Sequence, residues 1–131
     1  MDTTENAYTI AVTGTATAAQ LNTINSKTSV AVNASGVTAI TGDSADFALL
    51  VAAASSPNAT ITLKADVTAT VNDAITVTAA NALAALTTGV VTATLTTGSL
   101  SSFAELAETG NAYTATVSDA DDAELSATAL S

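Results

Sequence analysis

The side chains able to do chemistry in this chain are few. Lys27 and Lys64 are the only cations, histidine and cysteine are absent, and twelve carboxylates leave a net charge of −10. Hydroxyls abound, with 26 threonines. A serine or threonine becomes a nucleophile only beside a base. Here that base would have to be Lys27, Lys64 or a carboxylate, because no imidazole exists. Thiolate chemistry, disulfides and histidine- or cysteine-ligated metal are likewise excluded. The six glycines are scattered and form no phosphate-cradling loop. The densest acidic run, "SDADDAEL" at 118–125, carries Asp119, Asp121, Asp122 and Glu124. It lacks the central glycine and spaced terminal glutamate of a calcium-binding EF-hand loop. Acids at a helix start interact favourably with the backbone dipole. That reading of 119–124 is preferred to a Ca²⁺ site. A glycoside hydrolase would need two carboxylates facing each other across a cleft, and no spacing here places them so. The sequence therefore assigns no catalytic residue, cofactor-binding residue or metal ligand, and the chain reads as a non-enzyme without cofactors.

What the sequence does specify is a building plan. "NAYTIAVTG" at 6–14 returns as "NAYTATVSD" at 111–119. Between these phrases a threonine-rich strand pattern, a small turn and a short alanine-rich helix pattern recur, as in repeat proteins. Units can be cut at 6–29, 30–57, 58–89, 90–110 and 111–131. In the strands, alternate threonines oppose apolar residues. Thr92, Thr94 and Thr96 face away from Ala93 and Leu95, and Thr68 and Thr70 from Val67 and Val71. This is the period of a half-buried strand with a hydroxyl outer face. Residues 37–41 interrupt the alternation and predict a weaker strand. Residues 66–77 predict one extra strand, or two split at "NDA" (72–74).

Each strand runs into a helix-start signal. Thr17/Gln20 and Ser102/Glu105 match the capping box, and Asp43/Asp46 and Asp121/Glu124 resemble it. Apolar residues then recur at helical spacing: Leu21 and Ile24; Phe47, Leu50, Val51 and Ala54; Leu83 and Leu86; Leu100, Phe103, Leu106 and Ala107. Phe47, Leu50, Leu83, Leu86, Phe103 and Leu106 are the expected core. Gly89 and Gly110 are placed to end helices with positive φ, and Pro57 marks a linker. Asn6 and Asn111 are expected to satisfy backbone groups at matching turns. Tyr8 and Tyr113 are expected to pack at a rim with their hydroxyls reaching water.

One unit cannot bury both its strand face and its helix stripe. Stacking units buries both, so the expected fold is α/β: a solenoid of about five coils, with short parallel strands alternating with short helices. Its core must be thin, because 31 residues are alanine and only four are aromatic. The negative charge opposes binding to nucleic acid. No apolar run is long enough to span a membrane. "MDTTENAY" has no signal-peptide character, and the repetition suits a fragment of a longer protein.

The phrases "LNTINSKTS" (21–29) and "VNASGVTAITG" (32–42), within residues 17–54, resemble the Ala/Thr/Val/Asn-rich tandem repeats of giant secreted or cell-surface proteins of marine bacteria. Swimming-associated surface proteins of marine cyanobacteria are among these. The resemblance implies an extracellular or cell-surface location and a repetitive structural or adhesive role. The expected function is thus a non-catalytic rod or spacer module whose partner is itself, through end-to-end stacking or neighbouring repeats. The alternatives are an ice- or crystal-surface-binding threonine array, or an adhesin module that binds a partner surface.

Overall fold

The computed structural model describes residues 6–55 and 58–118. Pro57, the Asp121/Glu124 cap, the acidic residues 119–124 and the end of the last expected unit lie outside the described residues. Among the described residues six strands and four helices follow one another: β1 (Ala11–Thr17), α1 (Ala18–Asn25), β2 (Val32–Gly42), α2 (Ser44–Ala54), β3 (Ile61–Leu63), β4 (Thr68–Ile75), α3 (Val77–Ala84), β5 (Val91–Leu95), α4 (Leu100–Phe103) and β6 (Ala112–Thr114). The strands form one sheet in the order β1-β2-β4-β5-β6, and every pairing is parallel. Short β3 pairs with the start of β2, through Val32 opposite Ile61, while β4 pairs with its end, through Thr41 opposite Thr70. Spatial order therefore follows chain order, as expected of parallel strands joined by helical crossovers.

Alternation decides which face is covered. In β5, Val91, Ala93 and Leu95 are buried while Thr92 and Thr94 are exposed. In β4, Ala69, Val71 and Ile75 are buried while Thr68 and Thr70 are exposed. Against the apolar face lie α1, α2 and α3, each packed beside the strand that follows it or its neighbour. Leu21, Phe47, Leu50, Ala80 and Leu83 meet Val32, Ile40, Val71 and Val91 in one core. Burial of Phe47, Leu50 and Leu83 matches the sequence pattern. Leu86, Phe103 and Leu106 do not enter the core; they pack on its rim, and α4 buries no residue. For Phe103 the reason is length, since the single turn of α4 carries no complete apolar stripe; Leu86 and Leu106 lie past the ends of α3 and α4.

Of the two strict capping boxes in the sequence, one forms. Thr17 Oγ1 accepts from the Gln20 N–H at 3.0 Å, and Gln20 Oε1 accepts from the Thr17 N–H at 2.9 Å, completing the capping box of α1. The box at Ser102/Glu105 does not form. Ser99 is the cap instead, accepting from the Ser102 N–H at 3.2 Å, so α4 begins one turn earlier. Thr76, which the pattern passed over, caps α3 from the Ala79 N–H at 3.1 Å.

The interrupted stretch 37–41 is not a weak strand. It is half of β2, the longest strand, paired on both sides. Its alternation slips because β2 holds extra residues relative to β1 between Ala11/Thr13 and Gly14/Thr15. Such bulges shift the side-chain phase without ending the strand. Likewise "NDA" does not split 66–77 into two strands; it is a bulge inside β4, between Thr70 and Ala74. Neither glycine ends a helix, because α3 and α4 are capped earlier, at Ala85 and Ala104; Gly110 does have φ +89°, while Gly89 is outside the positive-φ region. Gly89 is needed for space: a Cβ there would run into the carbonyl oxygens of Asp66 and Val67.

Candidate functional site

The groups weighed for catalysis are kept apart. Lys64 is ion-paired with Asp66, whose carboxyl is held below its usual range by that hydrogen bond and by the lysine's charge. Lys27 is exposed. Among the described residues, no three carboxylates gather in one place. An open trough of about 510 Å³ runs between Thr87–Val90 and Glu108–Asn111, and Glu108 is its one ionisable side chain. One carboxylate cannot perform paired-acid chemistry. Asp73 is fully engaged in structure: Oδ1 accepts from the Ser44 N–H at 2.6 Å, and Oδ2 accepts from the Ser44 hydroxyl at 2.8 Å. These bonds, the backbone one foremost, hold its carboxyl below the usual range. Asp43 stands at the cap position of α2 but makes no side-chain cap bond. The bulge in β4 turns Asp73 toward that helix start in its place.

A different set of polar side chains recurs along the chain: two asparagines bond across to the next unit, and two threonines close turns within a unit. Asn22 on α1 donates to the Asp46 carbonyl on α2 at 2.9 Å; Asn81 on α3 donates to the Glu105 carbonyl just beyond α4, also at 2.9 Å. Asn81 also accepts from the Ala107 N–H at 2.9 Å. Ahead of the strands, Thr28 Oγ1 donates to the Tyr8 carbonyl at 2.6 Å and accepts from the Val30 N–H at 3.1 Å. Thr87 Oγ1 donates to the Val67 carbonyl at 2.6 Å and accepts from the Gly89 N–H at 2.9 Å. The next residues continue the parallel: Ser29 N–H to the Asn6 carbonyl and Thr88 N–H to the Ala65 carbonyl, both 2.8 Å. These bonds satisfy backbone groups that would otherwise be left without partners.

Sequence reasoning missed Asn22, Asn81, Thr28 and Thr87. A signal was present, since Asn22 and Asn81 each stand five residues after a threonine cap. Of the asparagines it did single out, Asn111 accepts from the Val91 N–H at 2.9 Å with its side chain. Asn6 serves through its backbone carbonyl. Tyr8 is exposed. The hydroxyl of Tyr113 does not reach water; it is buried with no hydrogen-bond partner among the described residues. Burial, then the nearby Glu108 charge, raises its pKa.

The uncovered face of the sheet carries the threonines in register. Thr17 lies opposite Thr41, Thr41 opposite Thr70, and Thr70 opposite Thr92, so one row crosses four strands. A parallel row holds Thr94 opposite Thr114, and Thr15 and Thr68 flank Ala39. Neighbours across the sheet are roughly 4.8 Å apart, and alternate residues along a strand roughly 6.6 Å apart. Among the described strand residues only Asp73 is charged, and Ser44 engages it. Apart from Asp73, the exposed strand residues are uncharged, mostly hydroxyls and methyls, on a strongly anionic chain. In comparisons with known proteins, no family model, no curated protein and no solved structure matches this chain.

Proposed function

We propose that the chain is a non-catalytic structural repeat module, a solenoid of about five strand-and-helix coils that serves as a rod or spacer in a longer extracellular or surface protein. The observation that carries this reading is the recurrence of the same bonds: Asn22 and Asn81 each reach into the next unit, and Thr28 and Thr87 each close the corresponding turn of their own unit. Side chains committed to joining one unit to the next are what a stacked array requires. Sequential parallel order, and the resemblance of residues 17–54 to surface-protein repeats, support the same reading. No described helix is long and apolar enough to cross a membrane. Tandem copies fused head to tail test the proposal by small-angle scattering. A rod gives a radius of gyration rising in proportion to copy number. Growth as about the square root of copy number, the behaviour of a flexible chain, would overturn it.

One observation favours a second reading, binding to ice or another crystalline neutral surface: the row Thr17–Thr41–Thr70–Thr92. A thermal-hysteresis measurement tests it. The reading requires a gap between melting and freezing that disappears in Thr41→Lys and Thr70→Lys. Absence of a gap in the unmodified chain ends it.

A further inference from the structure

Two of the three consecutive helix pairs are joined by an asparagine, and the middle pair is not. In α1 the joining residue, Asn22, is the fifth after the cap Thr17, and in α3 Asn81 is the fifth after Thr76. In α2 the fifth residue after the cap Asp43 is Ala48. The acceptor on α2 is the carbonyl of Asp46, third after its cap; the matching residue on α3 is Ala79. Ala48 and Ala79 both line a pocket of about 170 Å³ between α2 and α3. The pocket lies where the other seams carry an amide.

Its walls fix what it can hold. Phe47, Val71, Ile75 and Leu83 form a buried floor, and the mouth lies at Ala48 and Ala82, which are exposed. Ser44 is the one polar residue of the lining, and both its N–H and its hydroxyl proton are committed to Asp73. An ordered water needs two to four polar partners, which this floor does not supply, and an enclosed apolar cavity of about 150 Å³ accepts benzene or xenon; here the mouth gives such a molecule its way in. We infer that the α2–α3 seam is a binding site for one small neutral hydrocarbon or arene of about the size of benzene. This inference rests on the comparison of the seams and does not depend on the chain acting as a rod.

Benzene itself is the probe, added to the full chain. Methyl resonances of Val51, Val71, Ile75 and Leu83 should shift in a saturable way, while those of Val32 and Leu21, in the α1 part of the core, stay put. The Tm should rise by roughly 5 °C at free benzene about tenfold above its Kd. Ala48→Leu, which fills the mouth, should lose both responses. Ala48→Asn, which restores the amide of the other seams, should weaken them even where the leucine variant folds poorly. No methyl shift at benzene saturation would overturn the site. Equal shifts throughout the core, or an undiminished response in both variants, would also overturn it.

Discussion

Asp73 starts a helix from a different strand. It satisfies the first N–H of α2 across 29 residues of sequence, while Asp43 at the cap position makes no side-chain cap bond. Both bonds favour the carboxylate, so its pKa lies below the ordinary value. The linked stability is then fully present above the unfolded-state pKa, near 3.9. It is lost as pH falls through the lower, folded-state pKa. Asp73→Asn should melt at a lower temperature than the parent at pH 7, and the difference should shrink toward pH 2. A difference that is constant or grows on acidification would contradict this. Residue-scale features were legible in sequence only when both partners were close together. Thr17 and Gln20 lie within one turn and could be read; Asn22 with Asp46, and Asp73 with Ser44, depend on register between units and could not.

At the scale of elements, the period-2 and period-3.6 patterns located most strands and the first three helices, because burial acts on whole faces. They failed where the backbone changes phase. Bulges in the β1–β2 and β4–β5 pairings disguised β2 and gave β4 a false break. In α4, the Ser102/Glu105 pattern competed with Ser99, which lies one turn earlier and wins. Packing then separates residues that the sequence treated alike. Leu50 is 1% exposed in the core, whereas Phe103 sits on the rim of a four-residue helix. Leu50→Ala should cost about 2–5 kcal/mol. Phe103→Ala should cost less, about 1–2 kcal/mol, because a rim site is already partly hydrated and can relax. Chemical denaturation checks the order. A larger loss at Phe103 than at Leu50 would mean that the chain's end is packed more tightly than its middle.

For the whole molecule, the repetition of "NAYT" pointed to one plan used several times; the structure shows the coarser part of that expectation, a parallel sheet combined with helices, while the first "NAYT" precedes β1 and the second forms β6. Among the described residues, β1 and β6 each have a strand partner on one side only. Beside β1, Val12, Ala16 and Ile24 are only partly buried. Stacking of copies through these ends is opposed by the charge of −10, which salt screens to a range of about 3 Å at 1 M. Sedimentation should therefore show association that strengthens with ionic strength. A strict monomer at high salt and high concentration would count against end-to-end stacking.

The central claim is that each unit lies directly on the one before it, threonine over threonine. A chain without cysteine allows this to be measured by introduced pairs. Residues opposite one another on neighbouring strands are within disulfide reach, whereas a span of three strand spacings, roughly 14 Å, is not. Thr41→Cys with Thr70→Cys, and Thr70→Cys with Thr92→Cys, should each close an intramolecular disulfide on mild oxidation. Thr17→Cys with Thr92→Cys should stay open within the chain. Closure of the 17/92 pair, with the two neighbouring pairs left reduced, would contradict the stacked order.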